Sequence, residues 1–247
     1  MVSRMPTLRR GETTIEYEVH GSGHPLLLLA PGGMRSAISF WSRAPFNPIT
    51  EFSAQYRVIA MDQRNAGGSR AKITALDGWH SYADDQLALL DELKVERCHL
   101  LGGCIGGAFA LSLIERAPAR VSAAVLQQPI GYSGSNRQVF YELFDGWLAE
   151  LELSPDRRPD ISAEASLPFR SRMYDGDFVF SVSRESVAAC PVPLLVLRGN
   201  DVYHPSSISE EIVRLAPRAT LVPDWKTGDH LPAAVARVRQ FLSEHSP

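Results

Sequence analysis

The chain has 247 residues, 45% of them hydrophobic, with a formal net charge of −3 and three cysteines. That size and apolar content suit one large α/β domain that buries a core without staples, and the odd, scattered Cys98, Cys104 and Cys190 give neither a disulfide framework nor a zinc spacing. There is no basic stripe for nucleic acid and no polybasic segment for a membrane surface. The apolar run at 25–31 is too short to span a bilayer, and residues 1–6 lack the apolar stretch of a secretory signal, so the expectation is a cytoplasmic chain with no metal and no cofactor.

Residues 12–20 alternate in the manner of a half-exposed strand, and Gly21-Ser22-Gly23 follows as a turn. Leu26 to Ala30 reads as a fully buried strand ending at Pro31-Gly32-Gly33, and 57–61 as a second one closing on Asp62. A helix is predicted over 81–93, with Ser81 as its cap, Asp84 three residues on, and Leu87, Leu90 and Leu93 along one face. Strand 98–102 is followed by helix 106–116, which stops near Pro118. Further strands are predicted at 123–127, 194–198 and 220–222, and a last helix at 231–242. Buried strands alternating with helices imply an α/β fold: a mostly parallel twisted sheet with helices on both faces, where ligands gather at the carboxyl ends of the strands.

One stretch breaks this rhythm. Residues 136–153 form an amphipathic pattern rich in aromatics (Phe140, Tyr141, Phe144, Trp147), followed by a Pro/Arg/Asp loop and a second aromatic patch at Phe169, Tyr174, Phe178 and Phe180. The predicted organisation is a core of residues 1–131 and 190–247 with a small helical cap, or lid, inserted at 132–189. The alternative is an ordinary surface excursion.

The most informative residues are Gly102-Gly103-Cys104-Ile105-Gly106, where a strand pattern gives way to a helical one. A chain that turns this sharply leaves its corner residue in strained geometry with only small neighbours around it, the G-x-nucleophile-x-G elbow. The Cys104 sulfur would then sit over the first turn of a helix, beside free N–H groups and the positive end of the dipole. That setting lowers a thiol pKa and stabilises an oxyanion.

The chain resembles the α/β-hydrolase superfamily over essentially its whole length, as a member with a cysteine nucleophile. Pro31-Gly32-Gly33-Met34 is similar to the oxyanion loop. Asp62 to Ser69 is similar to the D-x-R-G-x-G-x-S loop, with Asn65 in place of a glycine. The elbow, Leu195 to Asp201, and Gly228-Asp229-His230 complete the set in order. The resemblance implies a triad of Cys104 as nucleophile, His230 as general base and then acid, and Asp201 as the orienting carboxylate, with Asp224 and Asp229 as rivals for the acid. Oxyanion donors are expected from the N–H of Ile105 and of either Gly33 or Met34. Asp62 and Arg64 are expected to be an ion pair that fixes their loop.

The remaining candidates concern a small-molecule acyl substrate. Gln127 and Gln128 end a strand beside the elbow and could hydrogen-bond it, and Phe144, Trp147 and Tyr174 either pack the lid or wall the acyl group. His204, in the acid loop, is read as structural or solvent-facing, with contact to substrate as the alternative. Cys98 and Cys190 are read as buried apolar residues. The leading expectation is an esterase- or lactonase-like hydrolase of an ester, thioester or lactone passing through an acyl-thioester. Acyl transfer from the same intermediate is the second, and a non-catalytic ligand-binding member of the superfamily the third.

Overall fold

The computed structural model describes residues 5–154 and 164–246; the Pro/Arg/Asp loop expected after the first lid helix lies mostly outside them. Eight strands form one sheet in the order β1-β2-β4-β3-β5-β6-β7-β8. They are β1 (Thr7–Arg10), β2 (Thr13–His20), β3 (His24–Leu29), β4 (Tyr56–Met61), β5 (Cys98–Gly103), β6 (Val121–Gln127), β7 (Leu194–Leu197) and β8 (Ala219–Val222). β1 and β2 pair antiparallel, β2 meets β4 antiparallel, and every pairing from β4 to β8 is parallel.

The continuous apolar runs of the central strands follow from burial on both faces, and odd and even side chains feed different cores. Leu27, Leu29, Ile59 and Leu100 pack on one side with helices α2 (Trp79–Glu92) and α3 (Ile105–Arg116). Leu26, Leu28, Val58 and Leu101 pack on the other with α1 (Pro48–Phe52) and α8 (His230–Glu244). Helix α2 begins two residues before the expected cap: Ser81 lies inside the first turn, where its Oγ accepts a hydrogen bond from the Gly78 N–H at 3.4 Å. No described helix is long and apolar enough to cross a membrane.

Helices α4 (Arg137–Leu153), α5 (Ser166–Tyr174) and α6 (Arg184–Ala188) fall between β6 and β7, and α7 (Ser206–Leu215) between β7 and β8. Two contacts hold α4 against loops at the carboxyl end of the sheet. The Trp147 Nε1–H donates to the Asn65 carbonyl at 3.2 Å, and Arg35 grips Glu150 with two bonds of 2.7 Å. Asn65 adopts φ 59°, a conformation its short amide side chain tolerates.

The expected Asp62–Arg64 pair does not form. The Asp62 carboxylate accepts the backbone N–H groups of Ile38 and Gly68, both at 2.8 Å, and so ties the loop after β4 to the loop after β3. Arg64 turns the other way, to Asp77 at 2.7 Å and Asp85 at 2.8 Å, in a nearly dry site. Sequence proximity suggested the pairing; the two side chains leave their loop on opposite sides.

Candidate active site

Between β5 and α3, Cys104 takes φ 57° and ψ −119°, a conformation that costs a non-glycine residue about 1–3 kcal/mol. Its neighbours show why glycine is required. A Cβ on Gly102 would lie 2.1 Å from the Gly106 carbonyl oxygen, and one on Gly106 would lie 1.9 Å from the oxygen of Leu29. The strained corner is clamped by its own backbone. The Cys104 N–H donates to the Gln127 carbonyl at 2.9 Å, and its carbonyl accepts the Gly107 N–H at 3.0 Å.

The imidazole beside this thiol belongs to His204, not to His230. Asp201 follows β7, and its Oδ1 accepts the N–H groups of Tyr203 and His204, each at 3.0 Å, in a tight local turn. The same carboxylate holds His204 Nδ1 at 2.7 and 2.9 Å, and an ionised carboxylate only accepts, so Nδ1 carries the proton. Gly199 leaves room for this fold-back, since a Cβ there would lie 2.2 Å from the His204 carbonyl oxygen. Nε2 is buried with no completed hydrogen bond, and the group that acts on it is the Cys104 thiol. Their contact is looser than a formed bond yet close enough that each shifts the other's titration.

His230 is exposed at the first position of α8, where its N–H donates to the Thr227 carbonyl at 3.2 Å. The loop after β8 is pinned by Trp225, a buried indole whose Nε1–H donates to the Arg198 carbonyl at 2.8 Å. That anchor leaves His230 outside both cavities that touch Cys104. The expected adjacency of Cys104 and His230 is therefore absent. The signal that could have found His204 is the D-x-x-H spacing, which a turn closing on the Asp201 carboxylate folds into one unit.

The surroundings of the thiol and the imidazole favour the charged form of each. Burial alone would push the Cys104 thiol up, but the nearby His204 imidazole, with the N–H groups of Gly32 and Ile105, brings it below its ordinary 9.0. Burial would likewise lower His204, but the Cys104 sulfur and the Asp201 carboxylate raise it above 6.5. Desolvation opposes ionisation of Asp201 as well, and its bonds from His204 outweigh that and keep its pKa low. The other two thiols are different: burial pushes Cys98 up to about 12, and Cys190 also rises.

Two cavities meet at the sulfur, sharing Phe40 and Cys104. The larger, about 350 Å³, lies under α4 and is walled by Phe140, Leu143, Tyr174, Ile130 and Tyr203, with Gly32, Gly33 and Arg35 at its floor. The smaller, about 170 Å³, opens on the other side toward Gln127, Gln128 and Arg43. Of the aromatics expected to meet substrate, Tyr174 does line the larger cavity. Phe144 and Trp147 are buried among Phe169 and Tyr174 and fasten α4 to α5 instead. Phe140 and Leu143, on the same helix, take their place at the cavity. In the oxyanion loop, the N–H aimed at the sulfur is that of Gly32, Gly33 lines the cavity, and Met34 turns its side chain into the core. Among the described residues no group of three His, Cys, Asp or Glu is arranged to hold a metal ion.

Residues 25–187 match the model of a family described as alpha/beta hydrolase fold. The chain is 38% identical over 115 residues to the "Putative carbamate hydrolase RutD" of Variovorax paradoxus (strain S110), a stretch covering 45% of this chain and 41% of that protein. It is 26% identical over 257 residues to the 2-hydroxymuconate semialdehyde hydrolase of Pseudomonas sp. (strain CF600), covering 91% of this chain and 88% of that one. The match thus spans about two fifths of the first of these relatives. Among solved structures, the meta-cleavage product hydrolase of Pseudomonas fluorescens IP01 superposes with a TM-score of 0.73 at 22% identity, covering 97% of each chain. The enol-lactonase of Burkholderia xenovorans LB400 does so with a TM-score of 0.70 at 21% identity, covering 96% of this chain and 100% of that one. At these identities the superpositions establish the fold.

Proposed function

The chain belongs to the α/β-hydrolase fold family, and we propose that this hydrolase cleaves a carboxylic ester, thioester or lactone through Cys104, His204 and Asp201. The observation that carries the reading is the strained Cys104 corner, with its sulfur set between the Gly32 and Ile105 N–H groups and an imidazole whose far nitrogen is held by Asp201. His204 replaces His230 as the base in this reading, and the described part of the 132–189 insertion, chiefly α4 and α5, acts as the cap over the apolar cavity.

The Cys104 thiolate attacks the carbonyl carbon, and the pair of electrons displaced to oxygen is received by the two N–H groups that had faced the sulfur. Each such donor is worth about 3–4 kcal/mol of barrier. The His204 imidazolium then gives its Nε2 proton to the leaving oxygen or sulfur as the carbonyl reforms, leaving an acyl-thioester and neutral imidazole. His204 next takes a proton from water as that water attacks the thioester. Collapse of the second tetrahedral species expels the thiolate, releases the acid and restores the ion pair. The cavity of about 350 Å³ sits at the small end of the range for ligand sites, which favours a compact apolar group on one side of the carbonyl.

Relatives named as a putative carbamate hydrolase and a 2-hydroxymuconate semialdehyde hydrolase support the hydrolase part of this reading. Acyl transfer is the second reading, favoured by the second cavity at Cys104, which could seat an acceptor in place of water. Mass spectrometry after mixing with an activated aryl ester tests the first step: an acyl adduct on Cys104 is expected, and an adduct on Cys98 with Cys104 unmodified refutes it. Product partitioning that responds to added alcohol or amine would favour transfer over hydrolysis.

A further inference from the structure

The smaller cavity has a chemical character of its own. Gln127 ends β6 directly beside the elbow, is 2% exposed, and has both amide atoms, Oε1 and Nε2, buried without a hydrogen-bond partner. Gln128, at φ 42°, adds a third buried atom without a partner, Oε1. Both residues line the cavity of about 170 Å³ that opens onto Cys104. The amide of Gln127 stands against the elbow itself, for a Cβ on Gly103 would lie 3.2 Å from its Oε1.

Buried polar atoms are almost always paired, because leaving one unmatched costs about 1–3 kcal/mol. A buried carboxamide with both ends open offers one donor and one acceptor side by side, and it does so whichever way the amide is turned. Its complement is a group carrying an acceptor and a donor at the same spacing. A carboxamide or ureido group meets that requirement. A carboxylate does not, since its acceptor-only oxygens would face the Gln127 oxygen. An alkyl group would leave both ends unmatched.

We propose that this cavity is a second substrate subsite that takes a compact carboxamide or ureido group, held by Gln127, while the apolar group on the other side of the carbonyl occupies the cavity under α4. The inference rests on Cys104 acting as the acylated residue. It adds the substrate class: a bifunctional acyl compound, apolar at one end and amide-bearing at the other. Arg43 stands at the mouth, exposed and paired with no carboxylate among the described residues, and it supplies the competing attraction for an anionic group.

Three phenyl esters with acyl chains of equal length test this, ending in a carboxamide, a carboxylate or an isopropyl group, with phenyl acetate as reference. For the native protein, kcat/KM for the carboxamide ester is expected to exceed that for the isopropyl ester by about tenfold, with the carboxylate ester poorest. In Gln127→Leu, normalised to phenyl acetate in the same variant, the carboxamide-to-isopropyl ratio should fall to about one. Equal rates for carboxamide and isopropyl esters in the native protein overturn the inference, as does a carboxylate preference abolished by Arg43→Ala. If Gln127→Leu destabilises the elbow, isothermal titration of Cys104→Ala protein with the same three chains as free phenyl ketones gives the ranking independently. Failure to turn over phenyl acetate at all sinks the acyl-cysteine reading, whereas turnover without an amide preference sinks only the subsite.

Discussion

Two histidines compete for the role of base, and replacing each by glutamine separates them. His204 is buried, with Nδ1 at 2.7 and 2.9 Å from the Asp201 oxygens and the other nitrogen toward Cys104. His230 is exposed at the start of α8. Glutamine can reproduce one hydrogen bond but cannot carry the proton. His204→Gln therefore removes both the charge that lowers the thiol and the group that shuttles the proton. The second loss alone is worth about 10²–10⁴ in rate. The first adds to it, because a buried thiol with only the Gly32 and Ile105 N–H groups to support its anion is less ionised at neutral pH. The combined expectation is a fall of about 10³–10⁴ in kcat/KM for an aryl ester, with a slower alkylation of Cys104 by iodoacetamide at pH 7. His230→Gln should change either quantity by less than about threefold, as a surface substitution. Stopped-flow acylation and timed alkylation read both. A profound loss in His230→Gln with near-native activity in His204→Gln would refute the assignment and return the base to the loop after β8.

The opposite shifts of Cys104 and His204 also set a pH window for the proposed reaction. A thiol held below 9.0 keeps its negative charge until the pH falls through that lowered value, and an imidazole held above 6.5 keeps its proton until the pH rises through the raised one. Single-turnover acylation should therefore trace a bell whose acid limb lies below pH 9.0 and whose alkaline limb lies above pH 6.5, and a rate still climbing beyond pH 9.0 would contradict the pair. Alkylation at pH 7 followed by peptide mapping should modify Cys104 alone, since burial holds Cys98 near 12 and raises Cys190; equal labelling of the three is the contrary result. Asp201→Asn should lower kcat/KM by about 10²-fold while leaving the melting temperature nearly unchanged, its carboxylate being 43% exposed and its chief partner the His204 ring. Arg64→Met takes the guanidinium from buried Asp77 and leaves buried Asp85 with only the longer contact to Arg10 at 3.4 Å, and should cost about 3–5 kcal/mol in urea unfolding, against a loss under 1 kcal/mol if the pairs were marginal. Gly106→Ala drives a methyl to within 1.9 Å of the Leu29 oxygen and should cost more than about 3 kcal/mol; a native-like unfolding midpoint would show that the corner can yield.

Much of this molecule was legible from local sequence. The strands β3, β4, β5, β6 and β7 were readable because two-sided burial demands continuous apolar runs, and side-chain alternation then feeds both cores. The elbow was readable because the contacts that exclude a Cβ at Gly102 and Gly106 arise between residues a few positions apart or on the neighbouring strand. Long-range placement was not encoded so plainly. On α4, Phe140 and Leu143 reach the cavity while Phe144 and Trp147 do not, the helix being held by the indole bond to the Asn65 carbonyl and by the Arg35–Glu150 pair. Arg64 pairs with Asp77 and Asp85 across a turn that sequence neighbours could not foretell.

The choice of imidazole is the clearest division. The resemblance of Gly228-Asp229-His230, just before the last helix, pointed to His230, while the order Cys, Asp, His fits His204 equally well; residue types at strand ends say which loops converge near the elbow. They do not say which side chain arrives. That was decided by two anchors in three dimensions: the Asp201 carboxylate, which folds its loop back so that His204 is buried beside Cys104, and the Trp225 indole, which holds the next loop down and leaves His230 in solvent. Short-range sterics wrote the strained Cys104 corner into five consecutive residues, whereas the imidazole beside that sulfur depended on which of two loops packed inward.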